Sequence, residues 1–249
     1  MKRQRYGWVR DIPDHRDLHF SSALRQPPVS VDLRSQFPPV YDQGELGSCT
    51  ANAVAGLMQF DEEKEHAISA TMPSRLFIYY QERVLEGTVG VDSGAQLRDG
   101  IKVAVKWGVC PETEWPYNIA EFAVQPPPQA YTDAAKEKAL VYLRMSQRLS
   151  QMRGCLAAGF PYVFGLSVYE SFESQAVANT GIVPLPAPGE TQVGGHAMCV
   201  AGYDDAQQWF IVRNSWGDQW GDGGYGYMPY AYLLDPDLAG DFWTVRRVT

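Results

Sequence analysis

A thiol attacks a carbonyl only as its thiolate, so a catalytic cysteine needs surroundings that favour negative charge. Cys49 has them on sequence alone. It follows the loop Gln43-Gly44-Glu45-Leu46-Gly47-Ser48 and opens a stretch in which Val54, Leu57, Met58 and Asp61 fall at helical spacing, with apolar residues on one side. Ser48 or a neighbour caps that helix. A helix N-terminus offers unpaired N–H groups and a partial positive charge, which lower a thiol pKa. The same N–H groups stabilise an oxyanion on a substrate carbonyl. The side-chain amide of Gln43, earlier on the loop, supplies a second donor.

A thiol also needs a base, and the chain has four histidines. His15 and His19 form His-Arg-Asp-Leu-His in a polar stretch, without the Glu that follows the first His of zinc peptidases and without an obvious third ligand; no metal site is expected. His66 adjoins Asp61-Glu62-Glu63-Lys64-Glu65 and reads as a solvated surface residue. His196 differs. It follows Gly194-Gly195, whose missing side chains let a substrate backbone approach closely, and it begins the run Ala197–Tyr203. Asn214 ends the run Trp209–Arg213 and precedes Ser215-Trp216-Gly217. An amide there accepts a hydrogen bond from one ring nitrogen and leaves the other facing the thiol. Trp216 shields that bond from water. Asn before a turn is also an ordinary structural choice.

The elements that must bring these residues together are legible in outline. Residues 1 to about 28 are polar and rich in charged and turn-forming types, and close at Pro27-Pro28; they read as an extended arm without its own core. Pro73-Ser74 opens a second helix through Leu76, Phe77, Tyr79 and Tyr80. A third runs from about Ala95 to Trp107, with Leu97, Ile101, Ala104 and Val105 inward and Gly108 as its stop. Pro126-Pro127-Pro128 is the best internal boundary, because three prolines extend neither a helix nor a central strand. A short helix near Ser150–Ala158 follows. Strand-like runs then fall at Tyr162–Tyr169, His196–Tyr203, Trp209–Arg213, Tyr225–Met228 and Phe242–Val248. Helices first and strands after argue for an α+β fold with two subdomains.

Composition narrows the partners. The chain has 249 residues, 45% of them hydrophobic and 20% charged, and a formal net charge of −8. An acidic chain repels phosphate backbones, so nucleic acid is not the expected partner. No apolar run approaches a membrane span, and no apolar segment follows the basic Met1-Lys2-Arg3-Gln4-Arg5 to make a Sec signal peptide. The cellular location stays open between the cytoplasm and an export route independent of such a peptide. The four cysteines, Cys49, Cys110, Cys155 and Cys199, show no zinc-ribbon or thioredoxin-like spacing and are too few for a disulfide scaffold.

Together these residues resemble the papain-like cysteine peptidases of the C1 type. The likeness lies in four ordered pieces: Gln43-Gly44 with Gly47-Ser48-Cys49; Gly108-Val109, Glu112 and Trp115-Pro116-Tyr117; His196-Ala197 with Gly202-Tyr203; and Asn214-Ser215-Trp216-Gly217 with Trp220-Gly221 and Gly224-Tyr225. The last block is the most specific. The resemblance covers residues 29 to 249. It implies two lobes, helical over about 29–125 and a β-barrel over about 126–249, with the active cleft between them. It further implies Cys49 as nucleophile, His196 as general base and acid, Asn214 as the group that orients His196, and Gln43 with the Cys49 N–H as oxyanion donors. Ser93, Gly94 and Ala95 match the strip that pairs with substrate backbone. Gly165 and Gly194 flank the main specificity pocket, and Gly195 and Trp216 complete the implied substrate-binding set.

The implied enzyme is a cysteine endopeptidase, a monomer without cofactor, acting on protein or peptide substrates. It hydrolyses amides through a Cys49 thioester. Several departures bear on this. The family usually has Cys three residues before the nucleophile and Trp just after it, where this chain has Leu46 and Thr50, and the partner half-cystine near Ser93 is absent. The family's usual disulfides are therefore missing, as in a bacterial-looking member, and Cys110, Cys155 and Cys199 are expected free and buried. Gly195 stands where plant papains have Asp. The arm, residues 1 to about 28, is shorter than the family's helical propeptides; it is expected to fold back across the cleft as a short inhibitory or cleft-covering segment, the alternative being a tail packed on the back of the molecule. Two other readings are a transglutaminase-type acyl transferase, which uses Asp rather than Asn, and a silent papain-shaped binding module, which usually loses the nucleophile.

Overall fold

The computed structural model describes residues 6–24, 26–66, 70–136, 138–139 and 141–246. Residues 1–5, the end of the expected last strand at 247–248 and the side chain of His66 lie outside that description. The chain runs β1 (Trp8–Val9), β2 (Ser30–Asp32), α1 (Cys49–His66), α2 (Arg75–Glu86), β3 (Ala95–Gln96) and α3 (Leu97–Lys106). It continues through α4 (Pro128–Ala134), β4 (Val141–Arg144), α5 (Leu149–Ala157), β5 (Tyr162–Tyr169), α6 (Gln175–Thr180), β6 (Gln192–Asp204), β7 (Trp209–Arg213), β8 (Tyr225–Pro229), α7 (Tyr230–Leu234) and β9 (Ala239–Arg246). This is the expected α+β fold, with three long helices first and most strands after.

Local chemistry sets the helix ends. The Ser74 hydroxyl accepts from the Phe77 N–H at 3.1 Å and caps α2, and Gly87 closes it at φ +72°. Gly108, at φ +79°, turns the chain after α3. That helix starts two residues later than its sequence suggests, because Ala95 and Gln96 are held extended by pairing with β1. The triple proline also does more than separate. Pro128 occupies the first turn of α4, where its missing N–H costs nothing.

The large sheet runs β4-β9-β5-β6-β7-β8, with β2 paired to β6. All its pairings are antiparallel. Among the described residues β4 and β8 are its outermost strands and do not pair with each other, so the expected barrel is an open sheet. Side chains alternate across it. Phe164, Leu166, Met198 and Val200 enter one core with Phe172, Phe210 and Phe242. Val163, Ala197 and Cys199 enter the other, against α1, α2 and α3. Met198 and Cys199 thus point opposite ways, and all four cysteines are free and buried.

Helix α1 lies between the other helices and the sheet. Its sequence suggests one apolar side, yet it is buried all round from Cys49 to Asp61. Its polar residues are bonded within the fold. Thr50 donates to the buried Glu82 at 2.9 Å, and the Asn52 amide donates to Ser48 O at 2.9 Å while accepting from Arg75 at 3.2 Å.

The arm has no core of its own, as expected, but it is bound to the rest by buried charge. Arg98 of α3 meets Asp17 at 2.5 Å, and Arg144 of β4 reaches Asp17 at 3.3 Å and Asp241 at 3.1 Å. Asp11 is buried. Its carboxylate accepts from Trp243 Nε1 at 2.8 Å and the Arg98 N–H at 3.1 Å, and its own N–H donates to Asp241 at 2.7 Å. Burial first, and then the neighbouring Asp241, push the Asp11 carboxyl above its ordinary value.

Two outcomes follow for limited proteolysis after the exposed Arg10. Removing one partner of a buried ion pair costs about 3–5 kcal/mol, so Asp17→Ala should speed cleavage there by tenfold or more; an unchanged rate would refute the anchoring. A carboxyl raised in the docked state favours docking most in acid and loses that contribution as pH climbs past the ordinary carboxylate range. Cleavage, corrected for the protease's own pH profile, should therefore be slower at pH 5 than at pH 8.

Candidate active site

Cys49 is the first residue of α1 and is fully buried. Its sulfur receives backbone N–H groups from Ala197, Gly7 and Thr50. The first of these follows His196 on β6, so the two sequence-distant candidates come near each other where α1 crosses the sheet. His196 Nε2 lies 2.8 Å from Asn214 Oδ1. That oxygen also accepts the Ser215 N–H at 2.8 Å, which fixes the amide with its oxygen toward the ring. With Nε2–H donating to Asn214, Nδ1 is the free acceptor, and it has no hydrogen-bond partner. The Trp216 ring lies 4.9 Å from the imidazole, centroid to centroid, and covers it.

Gln43 is buried beside them. Its Oε1 accepts from the Ser215 hydroxyl at 2.6 Å and its Nε2 donates to Leu46 O at 2.9 Å. Its backbone N–H donates to Ser215 O at 2.9 Å. The serine between Asn214 and Trp216 therefore orients both the Asn and the Gln amides, a role its type and spacing do not reveal.

The cleft is floored by glycines and filled by the arm. Gly7 O accepts the Ala95 N–H at 2.7 Å, and Trp8 and Val9 pair in parallel with Ala95 and Gln96. A Cβ at Gly165 would overlap the Trp8 indole, one at Gly194 the Tyr6 ring, one at Gly195 the Trp8 carbonyl oxygen, and one at Gly94 the Gly7 carbonyl. Ser93 precedes this strip and is exposed. The Tyr6 ring stands 6.2 Å from both His196 and Trp216, and its hydroxyl donates to Glu173. The expected site residues are thus together in one cleft. Tyr6, Gly7 and Trp8 occupy it; the sequence leads to an arm over the cleft but does not single out these three, because a polar arm shows no pairing signal for a partner strand so distant in the chain.

Arm and strip run parallel, and the Gly7 N–H, part of the Tyr6–Gly7 amide, lies near the Cys49 sulfur. Enclosure also sets the charge state. Burial pushes the Cys49 thiol up to about 12, against the pull of its three N–H donors. Burial pulls His196 down to about 4, only partly countered by Asn214. Between those limits the occupied cleft holds a neutral thiol and a neutral imidazole.

Among the described residues no group of three or more His, Cys, Asp or Glu is placed to hold a metal. His15 and His19 are exposed on the arm.

Iodoacetamide alkylation of Cys49, followed by mass spectrometry, tests this state. In the full chain the rate should be low at neutral pH and rise only toward strongly alkaline conditions. Trp8→Ala should admit water and move that rise to lower pH, with Cys110, Cys155 and Cys199 unlabelled. An ordinary thiol profile in the unaltered chain would contradict the burial argument.

Comparisons with known proteins agree with this geometry. The model of the "Papain family cysteine protease" matches residues 27–232. The chain is 43% identical over 271 aligned positions to an uncharacterized peptidase C1-like protein of Acanthamoeba polyphaga mimivirus, covering 98% of this chain and 87% of that protein. It superposes on the crystal structure of xylellain, a cysteine protease from Xylella fastidiosa, with a TM-score of 0.91 and 43% identity, over 100% of this chain and 99% of that one. Procathepsin B from Trypanosoma congolense shares the fold at a TM-score of 0.76 and 15% identity, over 98% and 87% of the two chains. With the family model spanning most of its length and such relatives along nearly all of it, the chain belongs to the papain family of cysteine proteases.

Proposed function

We propose that this cysteine peptidase is held closed by its own N-terminal segment, and that residues 29–249 form the catalytic unit that the segment 1–28 covers. The observation that carries this reading is the seating of Gly7 and Trp8 on Ala95, with Tyr6 and Trp8 over the glycine floor of the cleft. In that position the arm excludes substrate from the strip at Ser93, Gly94 and Ala95 and from the space at Gly165, Gly194 and Gly195. It also keeps water from the thiol and imidazole, which holds both neutral.

Release of the arm restores hydration and lets a proton pass from Cys49 to His196. The Cys49 thiolate then attacks the substrate carbonyl, and the Gln43 amide and the Cys49 N–H hold the oxyanion. His196, oriented by Asn214, protonates the leaving amine and later activates water to hydrolyse the thioester. Trp216 keeps the imidazole–amide bond dry. Substrates are proteins or peptides.

Full-length protein carrying Tyr6→Ala and Trp8→Ala tests the arm. Burying one large apolar side chain is worth about 1.5–3 kcal/mol, so the variant should turn over a peptide amide at least about tenfold faster. Turnover equal to that of the unaltered chain overturns autoinhibition. Cys49→Ala and His196→Ala should abolish turnover in either background, and Gln43→Ala should lower it on the order of 10²–10³-fold.

A further inference from the structure

The loop before Cys49 and the substrate strip at Gly94 come from different parts of the chain and must keep register for a peptide to reach the sulfur. No covalent bridge joins them, since every cysteine is free. One carboxylate spans the gap. Asp92 accepts the Gly47 N–H at 3.1 Å on Oδ1 and at 3.3 Å on Oδ2, and it accepts the Tyr79 hydroxyl at 2.5 Å. The Tyr79 oxygen in turn accepts the Gly94 N–H at 3.1 Å. A single run of hydrogen bonds, Gly47–Asp92–Tyr79–Gly94, therefore connects the residue two before Cys49 to the residue packed against the Gly7 carbonyl, next to the Ala95 that pairs with the arm.

The run is built into the fold. Tyr79 is fully buried on α2, and its ring lies 4.0 Å beneath the Arg83 guanidinium. Arg83, also buried, donates to Tyr79 O at 3.1 Å, to Val89 O at 2.7 Å and to Phe122 O, fixing the segment that leads from α2 to Asp92. Space is tight at both ends. A Cβ at Gly47 would come within 2.9 Å of Asp92 Oδ1, and Gly94 holds φ +72°, a conformation that suits glycine. Hydrogen bonds to a charged acceptor are roughly twice as strong as neutral ones, so the carboxylate is the strong element of the run.

We propose that Asp92 is a positioning residue: it sets the Gly47-Ser48-Cys49 turn directly and sets Gly94 through Tyr79, without touching substrate. The proposal rests on Cys49 as nucleophile and on Gly94 as a substrate-pairing residue. The two arms of the run should separate kinetically. Tyr79 holds the strip directly and reaches the turn only through Asp92, which keeps its own bonds to Gly47, so the loss of the hydroxyl weakens substrate binding. Asp92 holds both ends, so its loss also displaces the turn that carries the sulfur.

The test uses full-length protein with Trp8→Ala as the reference background. Tyr79→Phe removes both bonds of the hydroxyl, of which only the one from Gly94 acts on the strip; it should raise KM roughly 2- to 10-fold, the worth of that one hydrogen bond, with kcat unchanged. Asp92→Ala should lower kcat on the order of 100-fold, the cost of an ångström-scale misplacement, and slow iodoacetamide alkylation of Cys49, which needs no strip. Asp92→Asn keeps one acceptor and should fall between the two, which makes the comparison independent of whether Asp92→Ala folds. Thermal unfolding corrects each rate for folded fraction. Corrected kcat and KM unchanged in Asp92→Asn and Asp92→Ala would overturn the role, as would a Tyr79→Phe defect confined to kcat. Turnover surviving in Cys49→Ala would instead sink the site assignment, whatever Asp92 does.

Discussion

The molecule turns on a desolvated meeting of sulfur and imidazole. Cys49 sits at the head of a helix whose dipole favours an anion, with three N–H groups aimed at the sulfur, yet burial outweighs them and the thiol stays protonated. The same burial strips His196 of its proton. Two effects of opposite sign act on one pair, and the amount of water in the cleft decides between them. The rest of the structure can be understood as the apparatus that brings the two atoms together across the fold and then controls that water.

Bringing them together was largely legible in the residues. The runs at 162–169 and 209–213 form strands at their expected bounds, and the stretch after Cys49 forms a helix. Turn residues, caps and period-two alternation act locally, so they show in the sequence. The short strand β4 and the helix α4 were hidden, the first because four residues at a sheet edge carry little pattern, the second because proline reads as a breaker before it reads as a first turn. The one-sided pattern of α1 also misled, since buried Thr50, Asn52 and Gln59 look like a solvated face until their partners are seen.

The site divides the same way. Cys49, His196, Asn214 and Gln43 announce themselves through residue type and order, and the structure places all four in one cleft. Ser215, Tyr79 and Asp92 do not, because their work lies in bonds to backbone groups far along the chain. The arm was legible as polar and poorly self-packing. Its acidic residues looked solvated because Arg98 and Arg144, which meet Asp17, lie some 80 and 130 positions away.

That the covering strand and the covered groove belong to one polypeptide has a consequence for how the protein behaves in a crowd of its own kind. A separate inhibitor leaves its target as both are diluted. A tethered one remains at a fixed effective concentration, set by the length and anchoring of the intervening chain. Occupancy is then a property of the single molecule, the same in a trace as in a concentrated store.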